Sequence, residues 1–153
     1  MKAYRIGDPA KAFPIMDAAG SRLYPGRWND AGTPVIYASE HYSTAMLEKL
    51  VHASGRLPPN QHYVELEFPR GISTEEVQGE QLLGWDDEEP DRAQAFGAQW
   101  VRERRTLLLL VPSFVARMER NVVINPLHPE FERIHVSAAA PVWWDDRLFQ
   151  RSS

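Results

Sequence analysis

Four polar side chains stand beside short apolar elements, where chemistry is possible. Arg27 lies in the stretch YPGRWNDAGTPVIYAS, residues 24–39, with Tyr37 near its end, Glu48 in AMLEKL and Ser113 in VPSFV. A turn uses Gly, Pro, Asn and Asp for backbone reasons, but it has no such use for an arginine beside a tryptophan. Arg27 and Trp28 are therefore read as gripping a ligand. The chemistry an arginine offers is a planar fork of two parallel donors for a phosphate or a carboxylate. Taken alone, the other three have plainer readings. On a helical wheel Tyr42, Met46, Leu47, Leu50 and Val51 spread over one apolar side, and Glu48 points away from it, with His52 at i+4 as a partner. Ser113 reads as a turn hydroxyl bonding local backbone, and Tyr37 as strand filling.

The familiar alternatives are missing. There is no GxGxxG or Walker-type loop and no G-x-S-x-G elbow. The histidines at 41, 52, 62, 128 and 135 follow no metal-binding spacing, so no metal is expected. His128, in NPLHP, reads as a turn residue bonding backbone.

The elements that must position these residues can be read from pattern. AYRI (3–6) and PVIYA (34–38) are short strands. SEHYSTAMLEKLVHASG has good helix formers, Ser39 as a candidate cap and Gly55 as a stop. HYVELEFP alternates, with Val64, Leu66 and Phe68 on one face. Residues 75–91 carry eight acidic side chains and no basic one, a solvated loop anchored by Leu82, Leu83 and Trp85. RAQAFGAQWVRERR predicts a second helix with Ala95, Ala98 and Trp100 inward. TLLLLVPSFV predicts a buried strand ending at Pro112, and NVVINPLHPEF and RIHVSAAAPVWW two more. Mixed strands with two helices predict one α+β domain over 1–153.

Composition narrows the class. The 153 residues, 43% hydrophobic and 25% charged, suit a globular domain with a buried core. The absence of cysteine rules out thiol chemistry and fits a reducing cytoplasm. Neither a secretory leader nor a membrane span is expected. A net charge of -4 argues against a direct grip on nucleic acid. Only three of the seventeen basic residues are lysine, an arginine excess that a G+C-rich genome would itself produce.

Read together, GRWNDAGTPVIYAS, AMLEKLVH, LLLLVPSFV, NVVINPLHPEF and WWDDRLF occur in an order that resembles the RES domain, from AYRI to DDRLF. The resemblance implies a toxin of a bacterial toxin–antitoxin pair, with a fold similar to ADP-ribosyltransferases and NAD as its substrate. It also implies an antitoxin with a helix-turn-helix DNA-binding domain that occludes the active site, and it allows a homodimer within the complex. Position by position, the family's arginine falls on Arg27, its tyrosine on Tyr37, its glutamate on Glu48 and its serine on Ser113. Arg5 and Asn125 match further typical segments. Pro25 departs from the glycine that members often carry there.

On that basis Glu48, Arg27 and Tyr37 are the expected catalytic residues, and Arg5, Arg27, Tyr37, Ser113 and Asn125 the expected NAD-binding set. Arg27 would take the pyrophosphate, and Glu48 would stabilise an oxocarbenium-like ribose. Tyr37 would face the nicotinamide, and Ser113 would orient the ribose or the amide. The acceptor of ADP-ribose stays open between water, phosphate and a protein. A non-catalytic nucleotide-binding module is the alternative from another class.

Overall fold

The computed structural model describes residues 1–11, 14–56 and 58–149. Along the chain come β1 (Lys2–Gly7), α1 (Ala19–Leu23), β2 (Ile36–Ser39), α2 (Tyr42–His52), β3 (His62–Glu67), β4 (Thr74–Glu76), α3 (Asp91–Glu103), β5 (Leu108–Pro112), β6 (Arg120–Ile124), β7 (His135–Val136) and β8 (Ala140–Pro141). The strands form one mixed sheet in the order β4, β5, β6, β2, β1, β3, β7, with β8 also on β3. The β4–β5 pair is parallel and the other pairs are antiparallel. This is the expected α+β class. Among the described residues no helix is long and apolar enough to cross a membrane.

β5 is apolar throughout because both its faces are buried. Leu108 and Leu110 enter one cluster with Ala3, Ile36, Val64 and Leu66, while Leu109 and Val111 enter a second with Trp28, Trp85, Trp100 and Val123. Each such side chain contributes on the order of 2 kcal/mol when fully buried. Val64, Leu66 and Phe68 are all buried, as the alternation of their strand predicts.

α3 closes the second cluster with Ala93, Trp100 and Val101, and Gly97 and Ala98 are buried on the same helix. Ala95, expected inward, is exposed. Gly97 lies against the backbone of Trp28, and a Cβ there would stand 1.7 Å from the Trp28 carbonyl oxygen. Only glycine lets helix and turn approach so closely.

α2 lies on the sheet differently from the wheel's prediction. Its buried residues are Thr44 and Ala45, and Leu47 and Val51 are exposed. Small side chains let the helix pack close, so the larger apolar ones turn outward. Glu48, three and four positions on, then shares the sheet-facing side. Ser39 is not its cap: the helix starts at Tyr42 after His41, and no side chain caps it.

The acidic stretch is more ordered than a solvated loop. Thr74–Glu76 pairs with β5, and Trp85 is buried, although Leu83 is exposed. β7 and β8, two residues each, are shorter than their sequence run suggests.

One feature of the sheet opens the molecule. β1 and β2 share a single registered pair, Tyr4 with Ser39, whereas β1 and β3 stay paired through six positions. Beyond that pair β1 and β2 part, and the Arg5 side chain supplies what the ladder does not: its Nη1 donates to the Tyr37 carbonyl at 2.6 Å.

Candidate functional site

A cleft of about 540 Å³ opens at this parting. Arg5, Arg27, Tyr37, Glu48, Lys49 and Asn121 are among its walls. Three elements converge on Glu48. Its Oε1 accepts from Ser113 Oγ at 2.9 Å and from Asn121 Nδ2 at 2.7 Å. Asn121 Oδ1 in turn accepts from Ser39 Oγ at 2.8 Å, and Ser113 Oγ accepts from the Ala116 N–H at 3.1 Å. Ser39 therefore serves the site rather than the helix start. Both bonds to Glu48 use the same oxygen, so among the described residues Oε2 is left without a hydrogen bond. Two neutral donors fix the carboxylate without cancelling its charge.

Arg27 is held from the opposite side. Its Nη1 donates to the carbonyls of Trp85 at 3.0 Å and Asp87 at 2.8 Å, and its guanidinium carbon lies 4.2 Å from the centre of the Phe114 ring. Carbonyls and a ring orient a cation but leave its charge for an anionic ligand. Trp28, read as a second gripping residue, borders the cleft and is at the same time anchored in the core: it stacks on Trp85 at 6.4 Å and meets Phe96 edge-on.

Tyr37 joins the two sides. Its hydroxyl donates to Asn29 Oδ1 at 2.5 Å and accepts from the Trp28 N–H at 3.1 Å. Burial pushes the phenol well above its ordinary pKa, so it stays a neutral donor. Gly26 sits on this ring, and a Cβ there would come 2.8 Å from the hydroxyl. The glycine of GRWN thus makes room for Tyr37. Asn29, fully buried, ties the turn together by accepting from the Gly26 N–H at 2.8 Å and donating to the carbonyl of Ser21 at 2.8 Å.

Arg5 and Lys49 add positive charge. Burial pushes Arg5 down to about 10, which leaves it a cation at neutral pH, and among the described residues it donates to two carbonyls, those of Ile15 and Tyr37. Lys49 is lowered by burial first and by Arg5 second.

The structure thus brings Arg5, Arg27, Tyr37, Glu48 and Ser113 to one place. Asn125 is elsewhere. It is fully buried, its Oδ1 accepts from the Leu127 N–H at 3.0 Å, and its Nδ2 points to the Val101 carbonyl. Its polar atoms close the turn after β6. Asn121, four residues earlier and inside β6, lines the cleft instead. Its signal was available: a neutral polar residue, next to Arg120, at the start of an otherwise apolar strand. Asn29 carried none beyond its place in a turn. His128 does bond backbone, accepting from the Glu130 N–H at 3.1 Å.

The model of the RES domain matches residues 2–145. The chain belongs to the RES domain family of toxins. Among its relatives, the Prs ADP-ribosylating toxin of Sphingobium sp. (strain YBL2) is 36% identical over 156 aligned positions, covering 97% of each chain. Toxin Res of Pseudomonas putida is 32% identical and covers 90% of this chain and 95% of its own. The RES fold is also that of the toxin in the crystal structure of the M. tuberculosis MbcT–MbcA toxin–antitoxin complex. That similarity has a TM-score of 0.70 at 16% identity, over 92% of this chain and 83% of that one.

Proposed function

We propose that this RES domain cleaves NAD at the nicotinamide–ribose bond and acts as the toxin of a toxin–antitoxin pair by depleting NAD. The observation that carries the reading is the Glu48 carboxylate, pinned through one oxygen by Ser113 and Asn121 in the wall of a cleft that Arg5, Arg27 and Lys49 also line. NAD offers a matching charge pattern. Its pyrophosphate is anionic and suits Arg27, while the ribose becomes cationic as the C1′–N bond breaks and the electron pair leaves with neutral nicotinamide. A carboxylate near C1′ stabilises that charge and holds the ribose hydroxyls. An oxygen of the acceptor then bonds to C1′ and releases its proton.

With water or phosphate as acceptor the result is loss of NAD. With a protein side chain it is ADP-ribosylation, the reading that the name of the 36% identical Sphingobium relative favours. Purified protein incubated with NAD should release nicotinamide, and mass spectrometry of the products separates the acceptors. No nicotinamide under any acceptor condition would leave only a nucleotide-binding module.

An antitoxin partner fits the rim. Val51, Phe114 and Val115 border the cleft as exposed apolar side chains. A segment carrying a carboxylate could enter toward Arg27, and DNA binding would then belong to the partner's helix-turn-helix domain.

A further inference from the structure

We propose that Asp86 and Arg117, which touch neither the cleft floor nor Glu48, form a clasp that sets the position of Arg27. The inference rests on the reading that Arg27 takes the anionic part of the substrate.

The two carbonyls that hold Arg27 belong to Trp85 and Asp87, the residues on either side of Asp86. The ring that covers Arg27 belongs to Phe114, in the segment between β5 and β6. Arg117 binds both partners of this arrangement. Its Nη1 donates to Asp86 Oδ2 at 2.9 Å, its Nε donates to the Phe114 carbonyl at 2.6 Å, and its guanidinium carbon lies 4.3 Å from the Phe114 ring centre and 5.1 Å from that of Trp85. Phe114 and Trp85 also meet edge-on at 6.3 Å. Among the described residues, the Arg117–Asp86 bond is the one side-chain hydrogen bond that joins residues 82–90 to residues 113–119.

An ion pair with side chains 48% and 44% exposed adds little to stability. Its effect here is positional. Fixing the Asp86 side chain restrains the carbonyls of the residues before and after it, Trp85 and Asp87, because consecutive Cα atoms stand only about 3.8 Å apart. Fixing Phe114 sets the opposite wall. Arg27 then meets its ligand already oriented, so less ordering is needed on binding.

Asp86→Asn, Arg117→Ala and the double variant, assayed for nicotinamide release, test the clasp. Each single change should raise KM by about tenfold, with kcat and thermal midpoint nearly unchanged. The double variant should be no worse than either single one, as for two ends of one interaction. Asp86→Glu should restore most of the affinity. Unchanged KM, or single effects that add in the double variant, overturns the clasp and leaves the packing of Trp85 on Trp28 as the sole support. If the wild-type protein releases no nicotinamide, the proposed function fails by itself. The clasp is then read by NMR: the Arg27 side-chain N–H signal should be ordered in the wild type and broadened in Asp86→Asn, and identical signals overturn it.

Discussion

Ser113 and Asn121 donate to the same oxygen of Glu48, one from the turn that ends β5 and the other from the start of β6. Neighbouring strands thus aim two neutral donors at a carboxylate that a helix delivers. Glu48→Gln keeps the acceptor oxygen and the size but removes the charge. Nicotinamide release should fall about 100-fold or more while NAD affinity, measured by calorimetry, stays close to wild type. Ser113→Ala should lose about tenfold in kcat, the scale of one hydrogen bond to a charged group. Turnover unchanged in Glu48→Gln would remove the carboxylate from the reaction.

Arg27 offers a different test, since a lysine there keeps the charge without the fork. Arg27→Lys should weaken NAD binding and slow cleavage, and Arg27→Ala should do more damage. Both should stay folded, because the side chain bonds two carbonyls and covers one ring without entering either core cluster. Circular dichroism and activity per folded molecule separate the outcomes. An unfolded Arg27→Ala would make the arginine structural.

How far the sequence could be read depends on which forces placed each element. β3 and β5 were legible because alternation and a continuous apolar run report directly on one-sided and two-sided burial. Arg27, Tyr37, Glu48 and Ser113 were found as a set through a family pattern, since singly each had an ordinary explanation. The orientation of α2 was not legible. A wheel weighs Leu47 and Val51 above Thr44 and Ala45, whereas the sheet accepts the small pair and leaves the large ones outside. Nor could the hold of residues 85–87 on Arg27 be seen, because backbone carbonyls leave no trace in side-chain pattern. Asn125 was matched by motif, while Asn121, which the register of β6 with β2 sets opposite Ser39, went unread.

The contact between α3 and the turn of Arg27 yields a stability prediction. Gly97→Ala would drive a methyl into the Trp28 carbonyl, a backbone atom that cannot rotate away. The helix or the turn must move, at a cost of about 3 kcal/mol or more. Thermal denaturation should show a drop of many degrees or failure to fold, and any folded residue of protein should bind NAD poorly because the turn carries Arg27. A midpoint within a degree or two of wild type would mean that the approach of helix and turn is looser than the geometry shows.

The proposed antitoxin should act by covering the cleft. Arg5, Arg27 and Lys49 make the cleft attractive to a carboxylate, and Val51, Phe114 and Val115 give an apolar rim for the chain that carries it. Direct occlusion needs no second conformation of the toxin, so it is simpler than allostery. The saturated complex should release no nicotinamide. Replacing the inserted acidic residue of the antitoxin by its amide should slow association and reduce its salt dependence, because steering by opposite charge acts mainly on the encounter rate. NAD at high concentration should compete with the antitoxin for the free toxin. A complex that cleaves NAD at full rate, or an association rate indifferent to both salt and NAD, would place the antitoxin on another surface.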